Sequence, residues 1–133
     1  MVALAGQGAR LSAPLSAGRE ALLRAAREAG LTGLAAPRAA ELVGGTPREA
    51  EGVVRLLLGE GELLRVGEAL VARAALDGLK DDVRRRWAPG ARLDVGAIKE
   101  LTGLSRRFVI PLLEYLDRER VTRRQGAERT VVA

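Results

Sequence analysis

Residues 99–130 read KELTGLSRRFVIPLLEYLDRERVTRRQGAERT, and the fold is decided there. Gly103 supplies a left-handed C′ position that ends one helical pattern, and Ser105 is a good N-cap for the next. The new helix carries Phe108, Leu112, Tyr115 and Leu116, an i, i+4, i+7, i+8 stripe that should face a core. Two short extended runs follow, Val121 to Arg124 and Arg129 to Val132, around the turn Gln125-Gly126-Ala127. Upstream, Val95 to Thr102 reads as a short helix with Asp94 as N-cap. Before it, roughly Ala75 to Trp87 is an amphipathic helix with Leu76, Leu79, Val83 and Trp87 on one side, closed by Pro89-Gly90. Three helices followed by a two-stranded ribbon is the order of a winged helix-turn-helix.

The same pattern occurs earlier. An offset of 59 positions lays Glu41–Gly67 onto Glu100–Gly126 without a gap, matching Glu41, Leu42, Gly44, Arg48, Leu57, Glu60, Arg65 and Gly67 to identical residues. The first copy has helices over Ala17–Ala29 and Pro37–Val43, with Gly44 as the left-handed stop. A third helix starts at Thr46, with Pro47 at N1, and the ribbon strands are Glu62–Val66 and Ala69–Arg73. The predicted fold is therefore mainly α with small β wings (α+β), a tandem of winged helices: a lead-in over 1–14, a first domain over 15–75 and a second over 76–133. A unit of roughly 60 residues is near the lower limit for independent stability, which predicts that the copies support each other.

Composition narrows the chemistry. The 133 residues include no cysteine and no histidine, so thiolate or imidazole zinc sites and every Cys- or His-based catalytic arrangement are excluded. One Phe, one Trp and one Tyr make an aromatic stacking platform for single strands a poor expectation. Adjacent acids such as Asp81-Asp82 point in different directions on a helix, which argues against a carboxylate catalytic pair. No apolar run approaches a membrane span, and the first ten residues lack the pattern of a signal peptide, so the expected compartment is the cytoplasm, with no membrane partner.

Among the 22 basic residues only Lys80 and Lys99 are lysine. Arginine suits bidentate phosphate and guanine recognition, and a GC-rich coding bias explains the same excess. Residues 1–75 hold 9 basic and 8 acidic residues, whereas residues 76–133 hold 13 and 9, which assigns any polyanion site to the second half. Arg106 and Arg107 stand where the third helix of the second copy begins, beside free N–H groups and the positive dipole end. Two cations there oppose the dipole unless an anion joins them. The first copy has Glu49 and Glu51 where the second has Phe108 and Ile110, so it reads as a spacer or docking unit.

Pro111 removes the hydrogen bond to the Arg107 carbonyl and should bend the helix. The bend either aims Arg106 or is a tolerated kink near a helix start. In the ribbon, Arg123 and Arg124 must face opposite sides, so one of them is expected to pair with Asp117 or Glu119, and Arg124 is the better contact because it precedes the turn. Arg84-Arg85-Arg86 is accounted for by a solvated helix end, and Trp87 and Tyr115 by core or inter-helix packing.

The segment from Lys99 to Thr130 resembles the last winged helix of the bacterial selenocysteine-specific elongation factor family, SelB, in its S-R-R helix start, its P-L-L-E-Y-L-D centre and its T-R-R-x-G wing. The preceding copy resembles the penultimate winged helix in layout more than in wording. The resemblance implies binding of an mRNA stem-loop, the element that recodes a UGA stop codon as selenocysteine. It implies Arg106 as base reader, Ser105 and Arg107 on phosphates, and Arg123, Arg124 and Arg129 as wing contacts. The family's GTPase and tRNA-binding domains are missing from this stretch, and no GxxxxGK[ST] is present. The implied chain is thus no enzyme, holds no cofactor or metal of its own, is a monomer, and meets the ribosome through the full-length factor, to whose other domains GTP would belong. The alternatives are a winged-helix DNA-binding transcription regulator and a protein-interaction module. Val109, Ile110 and Pro111 argue against the former, being apolar where groove readers are expected.

Overall fold

A computed structural model describes residues 13–132, which divide into two compact units, the first ending at Arg73 and the second beginning at Ala74. The lead-in expected over 1–14 lies outside the described residues apart from Ala13 and Pro14, and those two already belong to the first helix. No described helix is long and apolar enough to cross a membrane.

In the first unit, α1 (Ala13–Ala29) starts four residues earlier than its apolar pattern, because Pro14 is well accommodated in a first turn that needs no N–H. It buries Gly18, Leu22, Leu23 and Ala26. Gly18 is required by close approach: a Cβ there would lie 2.3 Å from the carbonyl oxygen of Val43. A 3-10 turn (Gly30–Thr32) leads into β1 (Leu34–Ala35), then α2 (Ala36–Val43) and α3 (Pro47–Glu60). The strands β2 (Leu63–Val66) and β3 (Ala69–Ala72) complete an antiparallel sheet in the order β1-β3-β2. Leu22, Val53, Leu57, Leu63 and Leu70 form an aliphatic core between helices and sheet. Thr46 and Glu49 close the start of α3 with a capping box, Thr46 Oγ1 accepting from Glu49 N at 3.1 Å and Glu49 Oε1 accepting from Thr46 N at 2.9 Å.

The second unit repeats the plan. It comprises α4 (Arg73–Arg86), which opens on the last residue of the first unit, α5 (Val95–Thr102), α6 (Arg106–Arg118), β4 (Thr122–Gln125) and β5 (Glu128–Val131). The 59-residue offset carries α2 onto α5, β2 onto β4 and β3 onto β5 end for end. Asp94 caps α5 as expected, accepting from Ala97 N at 2.8 Å. Gly103 is left-handed, but Gly44 departs from expectation. It has φ 77° and ψ −166°, and Gly45 (φ 72°) continues a two-glycine turn.

Three further expectations are corrected. The ribbon of the first unit is not two-stranded, because β1 joins it; that of the second unit is two-stranded as expected, with Arg92 bridging to Thr130 beside β5. Segments this short show no alternation to read. On α6 the buried set is Val109, Leu112, Leu113, Tyr115 and Leu116, so Val109 replaces Phe108, which is half-buried. Trp87 lies just past the end of α4, half-buried, with the Arg86 guanidinium 5.8 Å from its ring centroid.

Lys80 ties α4 to the end of α6. Its Nζ donates to Glu119 Oε1 at 2.9 Å and sits 5.6 Å from the centroid of the Tyr115 ring. The hydrogen bond to Glu119 holds the ammonium above its ordinary pKa of 10.5. Burial pushes the Tyr115 phenol up from 10.0, against the opposing pull of Lys80.

Candidate nucleic-acid interface

The start of α6 is open where the start of α3 is closed. Ser105 has the extended backbone of an N-cap (φ −78°, ψ 164°), yet its side chain makes no capping hydrogen bond, and no acid lies in the first turn. Phe108 and Val109 N–H groups donate to the Ser105 carbonyl at 3.0 and 3.1 Å. The N–H groups of Arg106 and Arg107 have no acceptor among the described residues. Both arginines are exposed and neither has a carboxylate partner among the described residues. The Arg107 guanidinium lies 5.5 Å from the Phe108 ring centroid, a cation–π contact that restrains it beside the open turn.

At the other end of α6, Asp117 organises the wing. Its Oδ1 accepts from Thr122 Oγ1 at 2.6 Å, and Arg129 Nε donates to Oδ1 and Oδ2 at 3.3 and 3.0 Å. The Arg129 side chain is only 12% exposed. Asp117 was expected to hold Arg123 or Arg124 and holds Arg129 instead, while Glu119 is taken by Lys80. Arg129 is thus set apart from the other five expected residues: Ser105, Arg106, Arg107, Arg123 and Arg124 are all exposed. The inward neighbour of Arg123 is the cause. Pairing sets Thr122 opposite Val131 and Arg124 opposite Arg129 on the helix-facing side, where Thr122 and Val131 are buried. Arg124, nearest the turn on that side, donates from Nε to the Gly126 carbonyl at 3.1 Å. Arg123 points the other way, opposite Thr130, and has no partner among the described residues.

The two arginine sets sit at opposite ends of α6. Eleven residues from Arg106 to Asp117 correspond to about 16 Å of helix. The remaining basic features read as expected: Arg85 pairs with Asp82, and Arg84 to Arg86 occupy the last turn of α4, where the dipole favours cations. No group of three or more metal-ligating side chains is present among the described residues.

Comparison with known proteins places this geometry. Residues 88–131 match the family described as elongation factor SelB, winged helix. The selenocysteine-specific elongation factor of Desulfomicrobium baculatum is 36% identical over 87 residues, 65% of this chain and 14% of that protein. Among solved structures, the mRNA-binding domain of elongation factor SelB from E. coli in complex with SECIS RNA shares the fold with a TM-score of 0.65 at 16% identity, over 89% of this chain and 99% of that one. A bacterial selenocysteine-specific elongation factor, EF-Sec, superposes with a TM-score of 0.66 at 25% identity, over 87% of this chain and 18% of that one. The sequence match over 88–131, the 36% identical relative and the shared fold agree in likening this chain to the winged-helix region of SelB, of whose full-length relative it spans about a seventh.

Proposed function

We propose that the second unit binds a folded mRNA hairpin of the kind that directs selenocysteine insertion, and that this chain serves as the hairpin-binding part of a selenocysteine-specific translation elongation factor. One observation carries the reading. At the open start of α6, two adjacent arginines without carboxylate partners among the described residues stand where the first unit has a capping box closed by Glu49. An anion supplies what that helix start lacks. Arg106 reads a base, Ser105 and Arg107 hold phosphates, and Arg123 and Arg124 contact the stem from the wing. Arg129, held by Asp117, fixes the wing to α6. The first unit is the spacer. GTP hydrolysis and ribosome contact belong to other domains of such a factor, so this region needs no cofactor, acts as a monomer and works in the cytoplasm.

The test is competition binding of the chain against a looped RNA hairpin, a duplex DNA and an unstructured RNA at two salt concentrations. Arg106→Ala costs about 1–3 kcal/mol on the hairpin and relaxes base preference, whereas Arg124→Ala weakens all RNAs alike and lowers the salt slope by about one. Preference for duplex DNA overturns the reading in favour of a transcription regulator. Equal losses for both variants on every RNA remove the base-reader role of Arg106.

A further inference from the structure

The side of the wing sheet turned away from α6 presents a row of donors. Register sets Arg123 directly opposite Thr130, and Thr130 is bridged on its other side to Arg92. Residues directly opposite one another project from the same face. The opposite face is identified by Thr122, Val131 and Leu93, all buried. Arg123, Thr130 and Arg92 therefore lie in one line across the two strands and the bridged segment beside them, with the two arginines about 10 Å apart. Arg92 and Arg123 are exposed, and neither Arg123 nor the Thr130 hydroxyl has a partner among the described residues. Arg92 has one. Its Nη2 meets Glu128 Oε2 at 2.8 Å, with 69% and 58% of the two side chains exposed.

We propose that this outer face is a second polyanion surface, on which Arg123, Thr130 and Arg92 track the stem backbone of the RNA, and that Glu128 competes with phosphate for Arg92. The proposal rests on the RNA-binding reading above and extends it from Arg123 to the row of residues that share its face. An exposed ion pair is weak in water, so a phosphate able to take the guanidinium by two parallel hydrogen bonds displaces the carboxylate readily. Glu128 then sets affinity: it moderates the grip on any stem and leaves discrimination to the start of α6. A pair that merely pins the edge strand predicts the reverse, a variant that loses stability and keeps its affinity.

The full chain is titrated with a looped RNA hairpin and with a plain RNA duplex of the same stem, at about 50 and about 200 mM salt. Glu128→Gln is expected to tighten both RNAs by about three- to tenfold at the lower salt. Arg92→Ala weakens both by a similar factor and lowers the salt slope by about one, Arg92→Lys keeps that slope, and Glu128→Gln gives no gain when Arg92 is already alanine. Melting temperatures report whether each variant stays folded. Affinities and slopes unchanged for both Glu128→Gln and Arg92→Ala overturn the proposal. Should hairpin and duplex bind alike while these effects persist, the outer face stands and the hairpin reading falls. Should the unaltered chain bind neither RNA, both fall.

Discussion

Arg120 is the one non-glycine residue among those described with a positive φ, 60°. The offset of 59 places it on Gly61, which has φ 78° and caps α3 in the left-handed conformation. An arginine in that conformation carries a steric cost that glycine does not, only partly returned through its favourable position past a helix C-terminus. Arg120→Gly is therefore expected to stabilise the second unit by about 0.5–1 kcal/mol, read as a rise in the denaturant midpoint. A fall in the midpoint would mean that contacts of Arg120 outweigh its strain. The positive φ could not be read from the sequence, because the residue type argues against it, yet the alignment to Gly61 held the clue.

At the scale of elements, α6 is the informative case. Pro111 lies within it and withholds one backbone hydrogen bond, and the helix nevertheless continues from Arg106 to Arg118. Val109 and Leu112 on either side of it are fully buried, which anchors the helix across the gap. Pro111→Ala restores the bond and is expected to raise stability by about 1 kcal/mol. If the proline also aims Arg106, hairpin affinity falls at the same time, and unchanged affinity with greater stability disposes of the aiming role. The bounds of α5 were legible to the residue, because Asp94 and Gly103 punctuate both ends. The β1 strand and the Arg92 bridge were not, since two residues carry no periodicity. Arg106 and Arg107 were legible because charge and helix polarity disagree there. The partner of Asp117 was misread because alternation along a strand says which residues share a face and not which face meets the helix.

For the whole molecule, charge and architecture separate. Both units use one plan, yet the excess of basic over acidic residues lies in the second half, 13 against 9, while the first half is nearly balanced at 9 against 8. In the first unit Arg19, Arg27, Arg38 and Arg55 are each paired with a glutamate. The proposed RNA is thus drawn chiefly toward the second unit. A fragment of residues 74–133 is expected to bind the hairpin within about threefold of the whole chain, and loss by more than about tenfold would assign part of the interface to the first unit. Circular dichroism of that fragment shows whether its own core residues Leu76, Leu93, Ile98, Leu112 and Leu116 suffice to fold it or whether, as its size predicts, it needs the first unit.

The coincidence of strand and helix bounds between the halves has a consequence for how such regions diverge. A copied framework keeps its buried aliphatic residues in step, so it tolerates new chemistry only at its rims. Two exchanges there, Thr46 against Ser105 and Glu49 against Phe108, replace a helix start closed by a capping box with one that has no side-chain cap and no acid in its first turn. Altered ligand preference in relatives of this chain should then be sought in those rim substitutions, with the hydrophobic interior left as inherited scaffolding.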